Sequence, residues 1–231
     1  MSRFLALAFL LSAASSLAQD ATLSKVHGPV FVRAEGSTED LPAKGGEELL
    51  YGDAVKTGPG GTAHLLIGER GAVLVRENSF FKLEGNSRNI SLRFTFGEFL
   101  IGLRRKLTGG ETFKVRTPAS VAAVRGTLFW GKTDEKKTST YAGFGHTIAV
   151  TAKGKTVLVH AGETTTVVFG AAPAEVKPHD IPLSYTDNFR IDGSLQDLES
   201  LVDMPKSGDA THAAPAAPAG TAPGGPIPET K

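Results

Sequence analysis

The chain has 231 residues, 25 of them basic and 24 acidic, and it contains no cysteine. Without cysteine there can be no disulfide, no thiolate chemistry and no lipidated cysteine anchor, so packing alone must hold the fold. The flat charge balance lacks the basic excess that nucleic-acid binding requires, and nothing in it calls for a strongly anionic membrane surface.

The N-terminus reads as an export signal. Arg3 supplies a short positive region, Phe4 to Ala14 is an apolar run, and Ser16-Leu17-Ala18 places small residues where a signal peptidase needs them. Cleavage is expected after Ala18. The apolar run is shorter than the roughly 20 residues that span a bilayer. No later stretch is long and apolar enough either, so no membrane insertion is expected after cleavage. The remaining chain carries 24 basic and 24 acidic residues. It is long enough to bury most of its unfolded surface, as a domain of roughly 150 residues does.

From Val26 to Phe169 the apolar residues recur at every second position. The runs are Val30/Val32, Ala63/Leu65/Ile67, Val73/Val75, Phe81/Leu83, Ile90/Leu92/Phe94/Phe96 and Phe99/Ile101/Leu103, then Phe113/Val115, Leu128/Trp130, Ile148/Val150, Val157/Val159 and Val167/Phe169. This period places the apolar side chains on one face of each strand. Turn signals separate the runs: Gly58-Pro59-Gly60-Gly61, Gly68 to Gly71, Glu84 to Ser87, Thr108-Gly109-Gly110, and a hairpin loop at Ala152 to Lys155. The spacing predicts an all-β domain, a β-roll or β-solenoid-like stack of short strands. There is no exact repeat, and no helix of useful length fits the block.

After Gly170 the character changes. Ala171 to Pro182 carries three prolines and reads as an extended connector. Asp192 to Met204 is the one helix candidate: Ser194 caps it, and Leu195, Leu198, Leu201 and Val202 fall on one face. It is expected to pack back on the β domain. From Pro205 the composition is Ala, Pro, Gly and Thr, too poor in large apolar groups to order itself. The expected organisation is a signal peptide at 1–18, the β domain at 19–170, a connector and short helix at 171–204, and a disordered tail at 205–231.

A search for reaction chemistry assigns no catalytic, cofactor-binding or metal-binding residue. The histidines His27, His64, His146, His160, His179 and His212 show neither a helical i, i+4 pair nor an HxH pair. His64 has the opposite parity to Ala63 and Leu65 and is expected to face solvent, and His146 and His160 are placed where neighbouring strands could bring them together. No GxSxG nucleophile elbow is present. Gly154-Lys155-Thr156 resembles the end of a phosphate loop but lacks the earlier glycine and a following helix. Gly143-Phe144-Gly145 is expected to be a bulge or turn. Glu47, Glu48 and Asp53 gather near Gly52, where Asp53 is expected to bind backbone N–H groups. Arg104-Arg105-Lys106 is the only dense basic run, expected to be solvated.

Three stretches together resemble a known family. They are Gly46 to Thr57 with the following Gly-rich turn and Ala63 to Ile67; Leu92 to Leu103, with Gly97 before a strand; and Phe113 to Phe129, with its Thr117-Pro118 and Val124-Arg125-Gly126-Thr127 core. Their order is similar to that of the FecR-like domain, the periplasmic part of the iron-dicitrate sensor regulator, over roughly Val26 to Val168. Gly162-Glu163 looks like the family's late turn. The residues of the core read as framework: Thr117-Pro118 ends a strand, Val121 and Ala123 suit a crowded interior, Gly126 permits a close approach and Arg125 can hydrogen-bond carbonyls or a carboxylate. The resemblance implies an all-β periplasmic domain that binds other proteins. The expected signal peptide stands where the sensor regulators have their cytoplasmic anti-sigma segment and membrane helix, so iron signalling is not expected here. The expected function is an exported, non-catalytic binding or scaffolding module of the bacterial envelope, with a protein or glycan partner, no nucleic acid and no cofactor. The alternatives are a periplasmic sensory subunit acting on a transmembrane partner and, less favoured, a carbohydrate-active enzyme.

Overall fold

In a computed structural model the described residues are 21–104, 107–124, 128–182 and 184–185. The expected signal peptide, the Asp192–Met204 helix and the C-terminal tail lie outside them.

The strands in chain order are β1 (Ala21–His27), β2 (Val30–Arg33), β3 (Leu41–Pro42), β4 (Glu47–Leu49), β5 (Ala54–Thr57), β6 (Thr62–Ile67), β7 (Gly71–Val75), β8 (Ser79–Gly85), β9 (Asn89–Leu103), β10 (Thr112–Arg116), β11 (Val121–Val124), β12 (Leu128–Thr133), β13 (Ser139–Gly143), β14 (Ile148–Ala152), β15 (Lys155–Val159), β16 (Glu163–Val167) and β17 (Lys177–Pro178). The all-β expectation holds, and no helix of useful length interrupts the described chain.

The ladders form two sheets. The first runs β4-β1-β6-β7-β9-β12-β13-β16-β17. The second runs β3-β2-β5-β8-β9-β10-β11-β14-β15. Neither closes on itself. All pairs are antiparallel except β9–β10. From β5 onward the chain advances along both sheets together, switching layer after each strand or hairpin, so one core fills continuously between them.

Strand β9 belongs to both sheets. Ile90 to Phe96 pairs with β8, while Gly97 to Gly102 pairs with β12 and Phe99 to Leu103 with β7. The sequence suggests two strands separated at Gly97; the structure has one strand of 15 residues that bends there. The bend follows from local chemistry. The β8 register slips between Phe80 and Phe81, which leaves an extra residue on β9 just before the bend. Gly97 then takes φ 121, and a Cβ at this position would lie 2.6 Å from Ser79 Cα. Only glycine combines that dihedral with that approach. Glu98 N donates to Ser79 Oγ at 3.1 Å, so the amide freed by the irregularity is satisfied.

The core is built around phenylalanines. Phe81 and Phe94 lie 5.0 Å apart, Phe94 and Phe99 4.4 Å, and Phe99 and Phe129 6.0 Å. All four are fully buried. Burial of each such side chain is worth about 1.5–3 kcal/mol, with a further ~0.5–1.5 kcal/mol for each favourable ring pair.

Turn chemistry follows the expected punctuation. Gly61 N donates to Gly58 O, and Gly60 takes φ 71 after Pro59, as a type II turn requires. Lys153 and Gly154, at φ 48 and 73, form the two-residue loop joining Ala152 to Lys155. Two positive dihedrals match the right-handed twist of the flanking strands.

Several expectations of parity are corrected. Ala122 and Val124 face the core, not Val121 and Ala123, because β11 pairs Ala122 with Val115 and Val124 with Phe113. His64 is buried rather than solvent-facing, because the outer face of the first sheet is itself covered. Leu128 and Trp130 belong to that outer face, in a second apolar cluster with Ala72, Leu74, Leu100 and Ala142. Phe169 lies past the end of β16 and is exposed, with Lys137 Nζ 4.8 Å from its ring centroid. The expected connector is extended, but it joins the domain: β17 adds an edge to the first sheet, and Thr165 Oγ1 donates to Ala174 O.

Candidate functional site

The bend at Gly97 aims Glu98 out of the first sheet. Its side chain is only 10% exposed and both carboxylate oxygens are engaged. Trp130 Nε1 donates to Oε1 at 2.9 Å and Tyr185 Oη donates to the same oxygen at 2.7 Å. Arg76 Nη1 lies 3.5 Å from Oε1, and Lys132 Nζ lies 3.8 Å from Oε2. Removal from water would be costly for an unpaired carboxylate; here two neutral donors and two cations offset it. Tyr185 is held as the neutral phenol, its pKa pushed up by burial and then by the adjacent Glu98 charge. An open groove of about 630 Å³ adjoins this centre, bordered by Lys56, Arg76, Phe96, Lys132 and Glu135. Its lining carries both cations and carboxylates, Glu77, Glu98 and Asp134 among the latter. Glu98 is an anchored acceptor, with two donors on Oε1 and two cations beside it, chemistry that suits fastening chain segments together.

Glu98 is the residue that sequence reasoning missed. The available signal is an acidic side chain between a glycine and the apolar run beginning at Phe99.

The Thr117-Pro118-Ala119-Ser120 stretch makes a corner over a buried hydroxyl cluster. Ser120 Oγ and Tyr141 Oη are 2.8 Å apart, Thr117 Oγ1 lies 3.3 Å from Tyr141 Oη, and Ser139 Oγ donates to Thr117 Oγ1 at 2.8 Å. Thr133 Oγ1 extends the chain to Ser139 Oγ at 3.0 Å. Tyr141 is fully buried, and burial raises its pKa although its hydroxyl neighbours oppose the shift. The cluster ties the corner between β10 and β11 to β12 and β13 across the two sheets. Its role is framework, as the residue types suggest. Arg125 and Gly126 of the same motif lie outside the described residues.

Sheet edges offer the remaining chemistry, in the form of unpaired backbone groups. Three of the four edges are short: β4 has three residues, and β3 and β17 have two each, with a proline in both. Proline and brevity blunt an edge against further pairing. Strand β15 differs. It has five residues and no proline, it pairs with β14 alone among the described strands, and it exposes Leu158 at 55%.

The other residues singled out from sequence do not converge. Asp53 binds backbone as expected, accepting from Glu35 N at 3.0 Å and Leu50 N at 2.9 Å, while Glu47 accepts from Lys44 N. His160 Nδ1 meets Thr147 Oγ1 at 2.8 Å. His179 fastens the connector: its Nδ1 accepts from Ile181 N at 3.1 Å, so Nε2–H is the donor to Gly143 O at 3.0 Å. Gly143 lies where a side chain would strike the His160 carbonyl, and Phe144 N and Gly145 N both donate to Leu128 O, so this segment is the expected turn. Lys155 and Thr156 continue a hairpin strand. Arg104 is exposed, and Arg105, Lys106 and His212 lie outside the described residues. Among the described residues no group of three or more His, Asp or Glu is placed to hold a metal ion, and no helix is long and apolar enough to cross a membrane.

A family model described as FecR protein matches residues 53–172. No curated protein matches the chain. Solved structures of two candidate anti-sigma factors from Parabacteroides distasonis are similar to it. One has 17% identity and a TM-score of 0.49, covering 55% of this chain and 60% of that one. The other has 20% identity and a TM-score of 0.41, covering 54% of each. The chain thus spans less than two thirds of either protein.

Proposed function

The chain belongs to the FecR protein family, and on that premise we propose that it is an exported, non-catalytic binding module of the bacterial envelope. The signal features at Arg3 to Ala18 support export to the periplasm or medium. In this reading residues 19–170 form the binding body, a two-layer roll extended by the connector. Residues 171–204 are its connector and helix, and 205–231 are an unstructured tail.

The observation that carries the reading is the β15 edge. A partner's extended segment adds beside Lys155–Val159, completing the unpaired backbone hydrogen bonds and seating an apolar side chain next to Leu158. Main-chain bonds supply affinity in such strand addition, and alternate side chains supply specificity. The favoured partner is therefore an envelope protein; a glycan has no backbone ladder to offer.

The test is affinity capture from envelope extracts with the full chain and with Thr156→Pro. Proline removes an N–H from the strand and disfavours further pairing. Reproducible capture of one envelope protein by the native chain, lost in the variant, supports the proposal. Equal capture by both removes β15 from it.

Family membership also favours a second reading, a sensory subunit that biases a transmembrane partner. That reading predicts a changed envelope transcript profile in a deletion strain. An unchanged profile leaves the binding role alone.

A further inference from the structure

The outer face of the first sheet carries a buried row that crosses six strands. His64 pairs with Leu74, Leu74 with Leu100, Leu100 with Trp130, Trp130 with Ala142, and Ala142 with Thr164. None of the six is more than 9% exposed, and Leu74 and Leu100 are at 1%. These side chains point away from the core between the sheets, so something else excludes water from them. The chain itself begins the cover. The connector reaches this face, Ile181 and Tyr185 pack on the cluster together with Phe144 and, from β6 itself, Leu66, and the Tyr185 ring sits edge-on to Trp130 at 6.2 Å. Those side chains are too small for the whole row. At about 4.8 Å between strands, five gaps span about 24 Å.

We propose that the segment Asp192–Met204 covers the rest of this face, laying Leu195, Leu198, Leu201 and Val202 along the row from Trp130 toward His64. Three features fit. Tyr185 delivers the chain to the middle of the row, anchored at Glu98. The ten residues from Tyr185 to Leu195 reach up to about 33 Å when extended, more than the row requires. A helix of 13 residues is about 20 Å long, close to the span of the face, and its apolar stripe matches a flat sheet row in chemistry. The face is then an interaction surface already occupied in cis. An amphipathic helix from any partner gains it only by displacing this segment.

Trp130 is the only tryptophan in the chain and lies in the row, so its fluorescence reports the cover directly. The experiment compares the full chain with a triple variant, Leu195→Asp, Leu198→Asp and Leu201→Asp, and with Thr211→Asp in the tail as a control. The proposal expects Trp130 emission to shift to the red and acrylamide quenching to rise severalfold in the triple variant only. Unchanged emission and quenching in a folded triple variant overturn it. Should that variant fail to fold, disulfide trapping decides in its place, since the native chain has no cysteine to interfere. Leu66→Cys is combined in turn with Leu195→Cys, Leu198→Cys and Leu201→Cys. An intramolecular disulfide in at least one pair, absent when Leu66→Cys is combined with Thr221→Cys, supports the proposal. No intramolecular disulfide in any of the three pairs overturns it, and a disulfide between chains assigns the face to a second copy.

Discussion

Tyr185 donates a hydrogen bond to Glu98 at 2.7 Å, joining positions 87 residues apart and fastening the end of the connector to the strand shared by both sheets. The acceptor is a buried carboxylate and the donor a phenol that burial keeps protonated. The contact therefore acts as a fastener across the physiological pH range.

Replacing Tyr185 by Phe keeps the ring against Trp130 and deletes this bond together with the longer one that Arg76 Nη1 donates to the phenol at 3.4 Å. A loss of about 1.5–3 kcal/mol is expected, the usual net worth of a hydrogen bond to a charged group. Urea unfolding of both proteins measures it, and equal midpoints with equal slopes would show that the bond adds nothing.

The bend in β9 predicts an unequal response to the same substitution at two glycines. Gly97→Ala meets both a left-handed dihedral and the Ser79 backbone, so a loss of about 2–4 kcal/mol is expected. Gly110→Ala, at φ 80 with no atom within 4 Å, should lose only about 1 kcal/mol. Thermal unfolding of the pair reads the difference. Comparable losses would mean that the bend tolerates a side chain.

The parity of β11 makes a similar contrast. Ala122→Leu forces a large side chain against Val115 in the core and should cost about 1–3 kcal/mol. Ala123→Leu, on the half-buried outer side, should cost less than half as much. The reverse order would restore the parity read from the sequence.

Alkaline titration tests the hydroxyl cluster. The folded-state pKa of Tyr141 lies above its ordinary value, chiefly through burial. The folded protein therefore holds that proton more tightly than the unfolded chain. The corresponding stability is fully present below about pH 10 and falls as pH rises through the folded pKa. Tyr141→Phe should flatten that fall while lowering stability at neutral pH by about 1–3 kcal/mol, because Ser120 and Thr117 lose a buried partner. Ultraviolet titration should show one phenolate appearing only with unfolding. A Tyr141 that ionises reversibly in the folded protein contradicts this assignment.

Much of the fold was legible because it rests on local rules. Alternation identified the strands around Leu65, Phe81 and Phe113, and the dipeptides Pro59-Gly60 and Lys153-Gly154 identified their turns. What escaped depends on partners distant in sequence. Alternation shows that His64 and Leu65 face opposite ways, but it cannot show that both directions are covered. The parity of Val121 to Val124 is ambiguous in a run of four apolar residues, and pairing with Phe113 and Val115 decides it. Glu98 gains its meaning only when Arg76, Trp130, Lys132 and Tyr185 arrive from elsewhere in the chain. The openness of β15 was equally hidden, because edge position is a property of the whole sheet.

Strand addition at β15 can be read in living cells with a photo-crosslinking amino acid placed at Leu158 of the full chain, and, as a comparison, at Leu41 on the proline-blunted edge. A discrete adduct with one envelope protein from position 158, lost on adding Thr156→Pro and missing from position 41, is the predicted result. No adduct from position 158, or the same adduct from both positions, would contradict the account.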